Sequence, residues 1–355
     1  MSLDIERPAA APEGAAFRPI RNPLVAVVGA TGAVGRELVA CLQRRAFPLA
    51  GLRLLASARS AGKAIAFRGR PIVVEELAEQ AFAGVDLALF SAGGAVSRRY
   101  AAAAVRAGAV VVDNSSAFRM DPEVPLVVPE VNAATIPAHR GIIANPNCVA
   151  AIATVALHPL HRHFGLRRVS VATYQAASGA GAAAMEELRG ATAAHLAGEA
   201  FAPRVLRHPY AFNLFSHDSA VDPETGYNDE ETKVVRETRR ILALPELPVG
   251  ITCVRVPVLR AHAMAITAEF AAPVTPEAAR EALAAAPGLA VVDDRAGNHF
   301  PMPVEASGQD AVLVGRLRRD TGDPSGRSLA LFVVGDQLLK GAALNAVQIA
   351  ERLLG

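Results

Sequence analysis

Cys148 lies in the run Ala144-Asn145-Pro146-Asn147-Cys148-Val149-Ala150-Ala151-Ile152. A polar, proline-marked turn passes directly into a small-residue apolar stretch that suits a helix. The cysteine therefore falls in a first helical turn. There the unpaired backbone N–H groups and the positive end of the dipole favour thiolate over thiol. A thiolate is the nucleophile of covalent catalysis; the other use of such a cysteine is as a small buried hydrophobe. A thiolate enzyme also needs a proton shuttle near neutral pH, and His262 closes the β-like stretch 251–262 with a side chain of that type; a structural histidine is the alternative and, for a lone histidine, the commoner one. Arg255 and Arg260, in the same stretch, can hold a carboxylate or a phosphate. Arg119 ends the polar turn Asp113-Asn114-Ser115-Ser116-Ala117-Phe118-Arg119 and is a further candidate for an anion. The remaining histidines show no zinc-ligand spacing.

A second group of residues has the chemistry of a nucleotide site. Leu24-Val25-Ala26-Val27-Val28 reads as a buried parallel strand. It leads into Gly29-Ala30-Thr31-Gly32-Ala33-Val34-Gly35, and a helical pattern follows with Val34, Leu38, Val39, Cys41 and Leu42 apolar. Strand, glycine turn and helix are the setting in which glycines admit a pyrophosphate to a helix N-terminus. The spacing is GxxGxxG rather than GxGxxG, so a glycine turn used only for packing is the alternative. The next strand, over residues 52–56, ends in Ser57-Ala58-Arg59-Ser60 with no carboxylate to hold a ribose hydroxyl. A guanidinium between two hydroxyls suits a 2′-phosphate instead, which makes NADP the expected cofactor.

The elements that must position these groups follow from the pattern. Strands are expected at 85–90 and 109–112, each ending in a polar or glycine-rich turn. A strand over 168–174 ends in Gln175-Ala176-Ala177-Ser178-Gly179, followed by a helix from about residue 182. A loop rich in Pro, Asn, Asp and Gly covers 208–228. A helix opens at Asp229-Glu230-Glu231-Thr232-Lys233, where Glu230 and Lys233 share a face and a surface ion pair is the plain reading. Residues 336–351 read as one amphipathic helix. The 355 residues are enough for two domains.

Composition narrows the function. The chain is 52% hydrophobic and 20% charged, with a formal charge of +2, few aromatics and no tryptophan. That balance gives no case for nucleic acid or an anionic membrane surface. Cys41, Cys148 and Cys253 are far apart and form no CxxC pair, which points away from a disulfide scaffold or metal site and toward a reducing, cytoplasmic setting. No uncharged apolar run approaches the ~18 residues of a membrane span. Residues 1–22 read as a disordered tail without a signal peptide's apolar core.

Taken in order, the glycine turn 29–35, Ser57-Ala58-Arg59-Ser60, the turn 113–119, Pro129-Glu130-Val131-Asn132, Asn145-Pro146-Asn147-Cys148, Tyr174-Gln175-Ala176-Ala177-Ser178-Gly179, Glu230-Glu231-Thr232-Lys233, and Arg255 followed by His262 resemble the aspartate-semialdehyde dehydrogenases. The likeness runs from about residue 24 to the C-terminus. It implies an α/β chain: a Rossmann-type doubly wound parallel sheet domain over 23–147 and an α+β catalytic and dimerisation domain over 148–335. Residues 336–355 would return to the first. It implies a homodimer or a dimer of dimers. Position by position, the resemblance makes Cys148 the nucleophile, His262 the acid/base and Gln175 the residue that positions the reacting group. Arg255 would bind the substrate carboxylate, Glu230 its ammonium, and Arg119 and Lys233 the phosphate. Gly29, Thr31, Gly32, Ala33, Val34, Gly35, Arg59, Ser60, Ser178, Gly179 and Asn345 would contact NADP. The implied substrates are aspartyl phosphate in one direction, aspartate semialdehyde and phosphate in the other.

Two departures stand out. The family usually has Ser or Thr after the nucleophile where this chain has Val149 and Ala150. It usually has Ser-Glu after the histidine where this chain has Ala263 and Met264. Rival readings are an N-acetyl-γ-glutamyl-phosphate reductase, the same reaction on another acyl phosphate, and a catalytically silent NADP-binding paralogue. Glu230 and Lys233 favour the aspartyl substrate, because a free ammonium needs a carboxylate partner. Joint retention of Cys148, Gln175, Arg255 and His262 speaks against the silent paralogue.

Overall fold

The structure, a computed structural model, describes residues 19–354, so the expected tail lies largely outside the described residues. Its final part is paired rather than loose: Ile20 N–H donates to Leu353 O at 2.8 Å, beside a bridge to Leu354. The chain divides into two compact units, one ending at Pro146 and taking in residues from Ala342 onward, the other Asn147–Gly341.

The first unit is built on β1 (Leu24–Val28), β2 (Gly51–Ala56), β3 (Ala64–Phe67), β4 (Arg70–Glu76), β5 (Leu87–Phe90), β6 (Val110–Asp113) and β7 (Ile142–Ala144), in the order β3-β4-β2-β1-β5-β6-β7. Every pair is parallel except the β3–β4 hairpin, which no alternation in the sequence announces. Val25 to Val28 and Leu87 to Phe90 are buried on both faces, as a parallel sheet covered on both sides requires. The helices are α1 (Ala33–Arg44), α2 (Gly94–Arg106) and the short α3 (Pro129–Asn132). Because β1 sits between β2 and β5, the strand order reverses there. The carboxyl edge of such a switch point is where a doubly wound sheet takes a ligand.

The second unit opens with α4 (Cys148–Phe164), followed by β8 (Leu166–Gln175), α5 (Ala182–Leu196), β9 (Phe215–Ser216), α6 (Asp229–Ile241), β10 (Val249–Arg255) and β11 (His262–Phe270). Then come α7 (Pro276–Ala284), β12 (Leu289–Val291), α8 (Pro303–Ala306), β13 (Val312–Arg319) and β14 (Ser328–Gly335). Its sheet runs β12-β13-β14-β11-β8-β10-β9. β8 and β10 are parallel, with Gln175 opposite Arg255, whereas β11 is antiparallel to β8. The carboxyl ends of β8 and β10 and the amino end of β11 therefore share one edge, and that topology gathers Gln175, Arg255 and His262. α4 packs against β8, β11, β13 and β14. The alternate face of the sheet carries exposed Ser170, Ala172, Tyr174 and Thr252.

Residues 336–351 are not one helix. Asp336–Leu338 form a turn, Leu339–Ala343 a π-helical turn, and α9 (Leu344–Arg352) follows within the first unit. The division accordingly falls after Gly341, later than the expected 335/336. The apolar spacing of Leu338, Leu339 and Ala342 imitated a helix, but Asp336 Oδ1 takes the Leu338 N–H and Gly341 N–H reaches back to Asp336 O, which widens the turn. No helix among the described residues is long and apolar enough to cross a membrane.

Candidate active site

Asn147 is the N-cap of α4, its Oδ1 accepting from the N–H groups of Val149 (2.9 Å) and Ala150 (3.3 Å). Cys148 thus occupies the first helical position, half-buried, where a negative charge is favoured. The cap is itself held. Its N–H donates to Glu237 Oε2 at 2.5 Å, and its Nδ2 donates to Glu230 Oε1 at 3.0 Å. Gly341 supports the other side of the cysteine: a Cβ on it would lie 2.7 Å from Cys148 Cβ. Only a glycine lets the π-turn approach so closely. Val149 and Ala150 are fully buried, so the first departure changes the core beneath the nucleophile, not the surface beside it.

The same Glu230 oxygen accepts from Gln175 Nε2 at 3.1 Å, while Gln175 Oε1 accepts from Thr173 Oγ1. Glu230 therefore couples the cap of α4 to the end of β8. Its own position follows from a capping box, Asn228 and Glu231 bonding each other's backbone N–H. Burial pushes the Glu230 carboxyl up, but His217, the amides of Asn147 and Gln175, and Lys233 outweigh it and hold the pKa below the ordinary value. Glu230 is buried, so the expected surface pair with Lys233 is instead an interior carboxylate under the field of a half-buried lysine.

His262 is completely buried, and its Nδ1 accepts from the Ala176 N–H at 3.0 Å. In the neutral ring the proton must then reside on Nε2, which has no partner among the described residues. Burial first, then the charges of Arg255 and His217, lower the pKa well below the ordinary histidine value. Protonating Nδ1 would also set two N–H groups against each other. This geometry makes His262 a donor through Nε2–H and disfavours its service as a base. A Cβ on Gly179 would lie 3.0 Å from both His262 Nε2 and Arg255 Nη1. The bare glycine leaves one small space that both nitrogens face.

Arg255 is buried and paired with Asp218, Nε to Oδ1 at 3.2 Å. Asp218 and His217 lie in the loop 208–228, whose lack of periodicity hides both from a reading of the sequence. Arg260 is removed from contention as an anion ligand by its 2.6 Å pair with the buried Asp336. Cys253 is buried beside Thr173, and burial pushes its thiol up strongly, so it is inert next to Cys148. Ser178 is buried as well, its Oγ taking a hydrogen bond from Gln337 Nε2.

In the first unit the glycine turn has the form its residues suggest. Gly29 has φ +83°, and a Cβ on Gly35 would sit 2.1 Å from Gly29 O. The N-cap of α1 is Gly32, with no side-chain hydrogen bond, which leaves the first N–H groups without a side-chain acceptor and suits an anion. Thr31 Oγ1 donates to Ser60 Oγ at 3.3 Å, tying the turn to the short helical turn Ala58–Ser60, from which Arg59 projects exposed. Arg119 is buried, donating to Asn145 O (2.9 Å) and Asn114 O (2.7 Å). Asn345 donates to Val127 O and Asn145 Oδ1. Cys148, Gln175, Ser178, Gly179, Glu230, Lys233, Arg255 and His262 thus belong to one unit, and the glycine turn, Arg59, Ser60, Arg119 and Asn345 to the other.

Comparison with known proteins bears on both units. Residues 24–139 match a family model described as semialdehyde dehydrogenase, NAD binding domain, and residues 157–340 one described as semialdehyde dehydrogenase, dimerisation domain. The aspartate-semialdehyde dehydrogenase of Synechocystis sp. is 54% identical over 336 residues, covering 95% of this chain and 98% of that protein. That of Bacillus subtilis is 45% identical over 337 residues, covering 93% and 96%. Among solved structures, aspartate semialdehyde dehydrogenase II of Vibrio cholerae complexed with ASA superposes with a TM-score of 0.91 at 43% identity, covering 94% of this chain and 98% of that one. On the ordered motifs, the fold of each unit and these matches, the chain belongs to the aspartate-semialdehyde dehydrogenase family.

Proposed function

We propose that the chain reduces L-aspartyl 4-phosphate to L-aspartate 4-semialdehyde and phosphate with NADPH, through a thioester on Cys148, in the biosynthesis of lysine, threonine and methionine. The observation that carries this reading is the shared space over Gly179, faced by the Nε2–H of His262 and the guanidinium of Arg255. Beside it lies the Asn147–Glu230–Gln175 set that steadies the helix start of Cys148. The substrate follows from the aspartate-semialdehyde dehydrogenases that the chain resembles.

In this reading Cys148 thiolate attacks the acyl carbon and forms the C–S bond, and the C–O bond to phosphate breaks. The helix start stabilises the thiolate, and cationic Arg119 and Lys233 take the departing phosphate, on which the consumed proton ends. NADP, when bound in its reduced form, supplies the hydride that reduces the thioester. The oxyanion formed in each addition accepts a hydrogen bond from His262 Nε2–H. Its collapse expels Cys148 as thiolate and releases the aldehyde, so no base is needed at that step. Gln175 orients the carbonyl, Arg255 holds the α-carboxylate and Glu230 attracts the ammonium. The uncapped start of α1, Gly29, Gly32, Gly35, Thr31, Ala33 and Val34 would hold the pyrophosphate, and Arg59 with Ser60 the 2′-phosphate. Ser178, Gly179 and Asn345 would complete the cofactor's surroundings, Asn345 as a buttress of the Asn145 segment.

We further place the enzyme in the cytoplasm as a homodimer, alone or paired into a tetramer, with the open face of the second unit's sheet against its copy. The flat, small residues Ser170, Ala172 and Thr252 suit sheet-on-sheet contact. Light scattering that returned a monomer mass would refute the assembly. The activity is tested by NADP reduction with aspartate semialdehyde and phosphate, in parallel with N-acetylglutamate semialdehyde. Turnover of the first substrate alone is expected; preference for the second, or turnover of neither, overturns the assignment.

A further inference from the structure

Ala261 precedes His262, is completely buried, and has φ +70°. A residue with a Cβ resists that left-handed conformation, so something must enforce it. Gln337 does so: its Oε1 accepts the Ala261 N–H at 2.9 Å, while its Nε2 donates to Ser178 Oγ. Because the backbone N–H can only donate, the atom facing Ala261 must be the oxygen, which fixes the amide's orientation. Ser178 belongs to the turn that begins at Ala176. The turn is joined to the segment before His262 by Ala177 N–H to Val258 O (2.8 Å) and Ser178 N–H to Leu259 O (3.0 Å). The Ala176 N–H of this turn is the group that holds His262 Nδ1. One buried amide therefore grips both the backbone that carries the ring and the turn that sets its tautomer. Asp336 braces it from behind, its Oδ2 accepting from Arg260 Nε and the Gly308 N–H, each at 2.6 Å.

We propose that Gln337 is a positioning residue for catalysis: it holds His262 with Nε2–H directed into the space over Gly179. The inference rests on the role given above to His262. Gln337 acts through the histidine, and it predicts a loss in turnover without a matching loss in binding.

The test compares Gln337→Leu, close in size but unable to bond, with Gln337→Glu, which keeps an acceptor for Ala261 N–H and loses the donor to Ser178. Ala261→Gly is added to Gln337→Leu, because glycine accepts positive φ without help. Gln337→Leu should lower kcat about a hundredfold, the scale of an ångström's misplacement, with KM for NADP and semialdehyde nearly unchanged. Ala261→Gly should recover part of that loss, and Gln337→Glu should fall between Gln337→Leu and wild type. In ¹⁵N-histidine spectra, the wild-type His262 signal should be that of a single Nε2–H tautomer, and Gln337→Leu should mix it. Wild-type kcat in Gln337→Leu, a change confined to KM for NADP, or an unaltered tautomer with reduced kcat each overturns the proposal. If the wild type fails to turn over aspartate semialdehyde, the functional reading fails, and the spectra still decide whether Gln337 sets the ring.

Discussion

Gly179→Ala puts the active-site geometry to its sharpest test. The new methyl would stand 3.0 Å from His262 Nε2 and 3.0 Å from Arg255 Nη1. A ligand oxygen bonded to either nitrogen needs that same distance, about 2.7–3.2 Å, so methyl and substrate compete for one position. The glycine is not in the left-handed region and is exposed, so the backbone admits alanine. Its effect on stability should stay within about 1 kcal/mol. The effect on catalysis should be much larger. Losing a charge-assisted bond to the carboxylate costs about 1.5–3 kcal/mol and a neutral one from the histidine about 1 kcal/mol. Together these give about 2.5–4 kcal/mol, or roughly a hundred- to a thousandfold in kcat/KM. The coupled assay with aspartate semialdehyde reads this directly, and thermal unfolding supplies the stability control. A variant that folds and keeps kcat/KM within about threefold of wild type would show that the substrate does not sit over Gly179 and that the two nitrogens serve something else.

The other consequences are more direct. Cys148→Ser should abolish turnover while leaving NADP binding intact, because a serine hydroxyl ionises far less readily than a thiol at the same helix start; near-wild-type activity would remove Cys148 as the nucleophile. Arg59→Asp should weaken NADP far more than NAD, measured by the two KM values, and an equal loss for both would show that Arg59 does not read the 2′-phosphate. His262, neutral in the fold because burial lowers its pKa, binds a proton in the unfolded chain below about pH 6.5. The unfolded state then holds more protons, so stability falls as pH drops. His262→Asn should lose about 1.4 kcal/mol less per pH unit below about pH 6.5 than wild type does, until the folded-state pKa is reached. Parallel stability curves would contradict the buried neutral ring.

Much of this was readable from local sequence, where the cause of the structure is local too. The helix start at Cys148, the glycine turn after β1, and the helix opening at Asp229 rest on capping and turn devices that act within a few residues. The end of β8 at Gln175 was also legible, whereas the β-like stretch 251–262 is not one strand: β10 stops at Arg255 and His262 opens β11, because apolar alternation continues past Arg255 into Val256 and Val258 and hides the break. What escaped were partners chosen by register and long-range packing. Ala176 and His262 meet because β8 and β11 are antiparallel neighbours. Asp218 reaches Arg255 from a loop without periodicity. The turn 336–343 has helical apolar spacing, and the hydrogen bonds to Asp336 together with the close approach of Gly341 to Cys148 show why a regular helix does not continue through it.

The same distinction decides how the departures from the family pattern should be read. From sequence, Ala263 and Met264 remove a hydroxyl and a carboxylate next to His262, and a restored Glu at 264 would be expected to raise the histidine's pKa. In the fold, Ala263 packs with Ala261, Ala306, Leu313 and Val334, and Met264 lies fully buried on β11 between Thr173 and Val333. Met264→Glu would place a carboxylate at a position that is fully buried. Such a group either costs several kcal/mol or takes up a proton and stays neutral. The double change Ala263→Ser with Met264→Glu should therefore lower the melting temperature and leave the pH–rate profile where it is. An upward shift of the histidine-linked limb, with stability preserved, would mean that position 264 faces the active site after all. The tautomer of His262 is set by the backbone Ala176 N–H, and that constraint does not depend on the side chains at 263 or 264. Adjacency in sequence to a catalytic residue is thus weaker evidence for a chemical role than sharing its sheet edge.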